Sequence, residues 1–240
     1  MSMSAPPVPP LGTRFDLVIF DCDGVLIDSE IISARMLIAE LAKLRVRIDL
    51  DYVSRHFLGR SYPTVMATIR REFGLDLPED FEAKYRAALL AAFETELRIM
   101  PHVRAAIDGL RLPYCVATSS SPIRVAKSLG LVGLGDLVGP RLFTASMVAR
   151  GKPAPDLFHL AAAHCGVAPE RCLVIEDSLT GIRAGLAAGM EVWRFTGGSH
   201  MAGAQGAVPV PPEPDDARPH RHFASFATFL SLHPDFQRCT

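Results

Sequence analysis

Two aspartates separated by one residue, Asp21 and Asp23, close an apolar run over residues 15–20 and are followed by Gly24. The run is β-branched and aromatic, is broken only by Asp16, and has the length of one buried strand. Two carboxylates at the end of such a strand are costly to bury without a cation or hydrogen bonds. The carboxyl ends of strands in open α/β sheets are also where ligands bind. An Asp-Gly turn uses the same residue types, so the pair gains meaning only from the rest of the chain.

Two further runs end in functional groups. Residues 114–118, YCVAT, end in Thr118 and lead into Ser119, Ser120 and Ser121. Residues 172–175, CLVI, lead into Glu176 and Asp177. Lys152 lies in the loop GKPAPD, where Pro153 and Pro155 forbid regular structure. In a parallel sheet these strand ends face the same way and their side chains can converge. Asp21, Asp23, Glu176 and Asp177 would resist joint ionisation unless a cation joined them. Mg²⁺ suits such a set, because it takes oxygen ligands and keeps several waters. A lysine and a hydroxyl beside that cation suit a phosphate oxyanion.

The elements that must position these groups alternate as strand and helix, which predicts an α/β fold with a parallel sheet and helices on both faces. Strands are expected at 15–20, 114–118, 142–145, 172–175 and 191–195. Helices are expected at 102–110, from Pro122 to Gly130, at 155–165 and at 179–188. Gly181 and Gly185 cost the last of these stability, so close packing on the sheet is the expected reason for them. Between the first two strands lies a purely helical block, 31–98, with segments at 31–44, 49–57, 62–73 and 79–96. It reads as a second, helical-bundle domain covering one edge, with 14–30 and 99–240 as the core domain. Residues 1–13 are Pro- and Ser-rich and are expected to be a disordered tail. Residues 197–221 read as a long loop with His200, His220 and His222 as polar surface groups rather than metal ligands. Residues 223–232 read as a final amphipathic helix, with Phe226, Phe229 and Leu230 on one side.

Bulk properties narrow the function further. The 240 residues suffice for one substantial core plus a small second unit. With 25 basic and 26 acidic residues, no global charge draws the chain to nucleic acid or an anionic membrane. No apolar run has the length of a membrane span, and the N-terminus lacks the pattern of a secretory signal. Cys22, Cys115, Cys165, Cys172 and Cys239 have no metal-ligand spacing and read as reduced thiols of a cytoplasmic protein. A monomer or weak dimer acting on a small phosphorylated substrate is the expectation.

DxDGxL from Asp21 to Leu26, the Thr118 strand end, Lys152 in GKPAPD, and EDSxxGIxAGxxAGM from Glu176 to Met190 resemble, in order and spacing, the four motifs of the haloacid dehalogenase-like phosphatases. The resemblance covers about residues 15–196. DSE at residues 28–30 followed by a helical block resembles the subgroup with a small helical cap, the β-phosphoglucomutase and 6-phosphogluconate phosphatase type. It implies a Rossmann-like core with an inserted cap. It also implies Asp21 as nucleophile and Asp23 as acid/base. Mg²⁺ would be held by Asp21, the Asp23 backbone carbonyl and Asp177, with Glu176 directly or through water. Thr118, Ser119 and Lys152 would hold the phosphoryl group, and Ser178 would orient the acidic loop. The turn carrying Arg60, Ser61 and Tyr62 resembles the substrate-facing cap loop, with Arg60 suited to a second anionic group. The mutase pattern has a histidine where Ser33 falls and an arginine where Tyr62 falls, which favours simple hydrolysis. The rivals are a phosphomutase and a catalytically silent binding protein on this fold; no motif residue is missing, which speaks against the latter.

Overall fold

The computed structural model describes residues 14–201 and 213–237. The tail expected at 1–13 and Cys239 lie outside them. So does the middle of the 197–221 stretch.

Six strands form one parallel sheet: β1 (Leu17–Phe20), β2 (Tyr114–Thr118), β3 (Leu142–Thr144), β4 (Cys172–Glu176), β5 (Glu191–Phe195) and β6 (Arg221–Phe223). Their order is β3-β2-β1-β4-β5-β6. β1 and β4 are central, with Phe20 beside both Val116 and Ile175. The first acidic loop therefore sits between the other two strand ends that carry polar groups. Side chains alternate across the sheet as the pleat requires. Val18 and Phe20 enter one core with Val116, Leu173 and Ile175. Leu17 and Ile19 enter the other with Cys115, Ala117 and Val174. Burial on both faces explains why these strands read as unbroken apolar runs.

Helices α1 (Glu30–Lys43), α2 (Leu50–His56), α3 (Tyr62–Phe73) and α4 (Phe81–Glu96) form the insertion, followed by α5 (Val103–Gly109) and α6 (Pro122–Leu131). Helices α7 (Asp156–Cys165) and α8 (Leu179–Ala187) cover the opposite face, in the core that holds Leu157, Phe158 and Ile182. A Cβ on Gly185 would lie 2.7 Å from Val192 Cγ2, so α8 does pack tightly on the sheet. The two linkers into the insertion run side by side. Asp28 N–H donates to Arg98 O at 2.9 Å and Met100 N–H to Leu26 O at 2.9 Å. The insertion does not cover a sheet edge as expected; its loops reach the carboxyl ends of the strands. Ser119 Oγ donates to Gly59 O at 3.0 Å, and Thr180 Oγ1 to Leu58 O at 3.2 Å.

The C-terminal helix expected at 223–232 is absent. Phe223 instead ends β6, and Phe229–Ser231 is a single 3₁₀ turn. Spacing by three suits such a turn as well as a helix. The extended course gives β5 a partner on its outer side, with His220 N–H donating to Val192 O at 2.8 Å and Thr196 N–H to Phe223 O at 2.9 Å. Phe223, Phe226 and Phe229 still pack together, at ring separations of 5.4–5.5 Å.

Candidate active site

The sheet brings Asp21, Glu176 and Asp177 to one point. One potential ligand atom from each lies within 4.8 Å of the others, and all three residues are buried. Lys152 Nζ lies among them, 2.6 Å from Asp21 Oδ1, 2.7 Å from Glu176 Oε1 and 3.0 Å from Ala117 O. Its three hydrogens are thereby used. Burial opposes the Lys152 charge, but Asp21 and Glu176 overcome it and hold the lysine pKa above its ordinary value. Burial pushes the Asp21 carboxyl well up; Lys152 pulls it down, and Glu176 and Asp177 push it up again. Burial raises Asp177 likewise, with Glu176 beside it. One lysine does not balance three buried carboxylates, and a bound cation would supply the missing charge.

Asp177 Oδ2 is buried and has no hydrogen-bond partner among the described residues. Gly24, with φ +78°, makes room for it: a Cβ there would lie 2.0 Å from Oδ2. Clustered, buried, oxygen-only donors fit Mg²⁺. Glu176 fits less directly. Its Oε2 accepts from the Asp177 and Ser178 N–H groups at 2.9 Å each and from Ser178 Oγ at 3.0 Å. With Oε1 on Lys152, both oxygens are engaged. Ser178 also caps α8, its Oγ accepting from Gly181 N–H at 3.1 Å.

Asp23 projects from the same loop, with its carboxylate held from three sides. Ser29 Oγ donates at 2.5 Å, Ser120 Oγ at 2.6 Å and Arg124 Nη2 at 2.7 Å. Thr118 is fully buried at the β2 end, and its Oγ1 accepts from Ser120 N–H at 3.0 Å. Ser119 sits beside it with its side chain turned to the Gly59 carbonyl.

A cavity opens from Asp21, Asp23 and Thr118 towards the insertion. Arg60 and Tyr62 line it. Ser61 does not; its hydroxyl meets Thr64 Oγ1 at 3.0 Å. Arg60 is exposed and has no ion-pair partner among the described residues. Tyr62 stacks on Tyr85 at 5.7 Å, and Arg86 lies over Tyr62 at 5.3 Å while Nη1 donates to Ser121 Oγ at 2.8 Å.

Four residues escaped the sequence reading. Arg124 stands at the first turn of α6, three residues past Ser121, so a charge aimed from a helix start at the strand ends was the available signal. Ser120 belongs to the quoted hydroxyl run without its own role. Glu30 lines the cavity without a hydrogen-bond partner among the described residues, and burial, with Asp23 and Asp177 nearby, raises its pKa to about 8. His200 overturns the surface-loop reading: it is fully buried, with Nε2 2.8 Å from Asp177 Oδ2. His220 and His222 do stay exposed, the first accepting from Val192 N–H at 3.1 Å and the second meeting Glu213 at 2.7 Å. The three histidines do not converge.

An open parallel α/β sheet with acids, a lysine and hydroxyls at its strand ends under a helical lid defines a hydrolase built for phosphoryl chemistry. Residues 15–189 match the haloacid dehalogenase-like hydrolases. The chain is 30% identical over 189 residues to 6-phosphogluconate phosphatase of Escherichia coli K12, covering 78% of this chain and 86% of that one. It is 32% identical to hexitol phosphatase A of the same organism, over 72% and 80% of the two chains. A solved haloacid dehalogenase-like protein from Agrobacterium tumefaciens C58 superposes with a TM-score of 0.72 at 32% identity, over 91% of this chain and 97% of that one. The chain belongs to the haloacid dehalogenase-like hydrolase family, and it is a phosphoric monoester hydrolase. No described helix is long and apolar enough to cross a membrane.

Proposed function

We propose that this chain is a Mg²⁺-dependent phosphatase of small sugar or sugar-acid phosphates, working through an aspartyl-phosphate on Asp21. The observation that carries this reading is the buried convergence of Asp21, Glu176, Asp177 and Lys152 at the floor of a polar cavity. Residues 31–98 act as the cap.

Asp21 attacks phosphorus in line with the departing oxygen, so hydrolysis is split into two displacements. Asp23 protonates that oxygen and then takes a proton from the attacking water. Ser29, Ser120 and Arg124 fix its carboxylate for both steps. Thr118 and the Ser119 backbone N–H hold the phosphoryl oxygens, and Lys152, whose three hydrogens are already used, acts on them through its positive charge. Mg²⁺ would be held by the Asp21 and Asp177 side chains and the Asp23 carbonyl, with Glu176 acting through water because its oxygens are already engaged. When bound, it neutralises charge on the phosphoryl oxygens. Lys152 would keep Asp21 ionised, and Glu176 would keep Lys152 in place.

Arg60 faces the cavity without a counter-charge, which suits a substrate bearing a second anion such as a carboxylate. Hydrolysis is favoured over a mutase reaction by Ser33, whose hydroxyl donates to Ser29 O at 2.9 Å and meets Arg124 Nη2 at 3.1 Å. That position offers no titrating group for a second proton transfer.

The test is phosphate release from a panel of metabolite phosphates that includes 6-phosphogluconate, hexitol phosphates and neutral sugar phosphates. Asp21→Asn should abolish release from every one, and chelation should silence the wild type until Mg²⁺ is restored. Turnover by Asp21→Asn would refute the nucleophile; isomerised sugar phosphate without phosphate release would point to the mutase.

A further inference from the structure

His200 stands outside the four motifs, yet its ring is fully buried against the metal-side acid. Nε2 is 2.8 Å from Asp177 Oδ2, a hydrogen-bonding distance. The ring is turned off line, so Nδ1, Nε2 and Oδ2 are all left without a hydrogen-bond partner among the described residues. Three orphaned polar atoms in one buried place are costly, and the local chain is built to hold the ring there. Met201 N–H donates to Gly198 O at 2.9 Å and closes a turn. A Cβ on Gly198 would lie 2.6 Å from the His200 ring, so only glycine lets the ring fold back. Ser199 is pinned by its N–H and hydroxyl to Asp28 Oδ1, at 3.1 and 2.8 Å. The Asp177 backbone is fixed separately, its carbonyl accepting from Arg194 Nε at 3.0 Å. What remains to be fixed at Asp177 is the carboxylate.

We propose that His200 is a positioning residue for the metal site: when the cation binds, the ring turns into line, its Nε2–H donates to Asp177 Oδ2, and the carboxylate is thereby oriented towards the cation. The proposal rests on the Mg²⁺ reading above. It gives the buried imidazole a task that packing alone does not require, and such partners of a ligand set how tightly a metal is held.

The experiment is Mn²⁺ binding to metal-stripped protein, with free Mn²⁺ read by electron paramagnetic resonance and no substrate present. His200→Leu keeps the volume and removes the donor; His200→Gln keeps a donor. The Leu variant should bind about 10–100-fold more weakly, and the Gln variant close to wild type. Equal affinity in wild type and the Leu variant would overturn the proposal, as would equal losses in both variants. Asp177→Asn separates the readings. If wild type binds no Mn²⁺, the metal site itself fails; if it binds and Asp177→Asn does not, only the role of His200 is being judged. Should the Leu variant fail to fold, the wild-type imidazole is read by long-range ¹⁵N NMR during Mg²⁺ titration. An Nε2-protonated ring whose resonances move with Mg²⁺ is expected, and an Nδ1-protonated or unmoved ring would overturn the proposal.

Discussion

As the proposed nucleophile, Asp21 would have to be ionised in a place that resists ionisation, and Lys152 is the group that would permit it. Removing the lysine leaves Asp21 and Glu176 facing each other unpaired. Lys152→Met should therefore destabilise the metal-free protein by about 3–5 kcal/mol at pH 8. The pH dependence follows from Asp21, whose pKa in the fold is raised by burial above its unfolded value. Such a group binds its proton more tightly folded than unfolded, so its ionisation erodes stability as pH climbs from the unfolded towards the folded pKa. Without Lys152 that erosion deepens, so the gap between variant and wild type should shrink at pH 5. Urea titrations in chelator at the two pH values measure this, and a gap independent of pH would refute it. The raised Lys152 pKa adds no slope there, since the lysine is charged in both states below its ordinary value. Asp23 is tested through the leaving group. Asp23→Ala should lower kcat/KM, which reports the step that expels the leaving group, by about 10²–10⁴ for a sugar phosphate, and much less for an aryl phosphate, whose leaving oxygen needs no proton. Equal losses on both would remove Asp23 from the acid role.

The elements were legible where burial and turn chemistry point the same way. β2 and β5 fall at the expected residues, and α6 begins at Pro122 because Pro suits a first helical position. Strand ends bearing Asp21, Thr118 and Glu176 were readable because polar groups after an apolar run have few structural uses. What escaped was long-range. The phenylalanines at 223, 226 and 229 fit a helix and a chain of turns equally, and only the open side of β5 decides between them. Arg124 and His200 are ordinary in sequence; their meaning comes from Asp23 and Asp177, which are distant in the chain. Gly181 was expected to pack closely, and the reason is chemical: a Cβ there would lie 1.6 Å from Glu176 Oε1. Gly181→Ala gains helix propensity of about 1 kcal/mol, yet it displaces the carboxylate that holds Lys152. A net loss of about 1–3 kcal/mol in stability is expected, together with a fall in kcat. A more stable, fully active variant would show that Glu176 has room to move.

At the scale of the whole molecule, the sheet carries the acids proposed to break the bond and the helical insertion supplies the opposite wall of the cavity. The two are tied by Ser119 to Gly59 O, Thr180 to Leu58 O, Arg86 to Ser121, and Lys127 to Glu94 at 2.9 Å. The first two of these bonds go to backbone carbonyls, so they hold the insertion against the sheet without depending on which side chain the loop carries. The side chains of the loop would then be free to select substrate, and Arg60, next after Gly59, is the charged one among them. Its charge is remote from phosphorus, so it should act on ground state and transition state alike. Losing such uniform binding raises KM and leaves kcat intact. Arg60→Met should therefore raise KM for a sugar-acid phosphate by about tenfold, the loss of one charge-assisted hydrogen bond at an exposed site. KM for the matching neutral sugar phosphate should change little. Parallel steady-state kinetics on the two substrates decide the matter. A fall in kcat on both would mean that Arg60 governs closure of the cap, and no change on either would mean that the cavity recognises its substrate without Arg60.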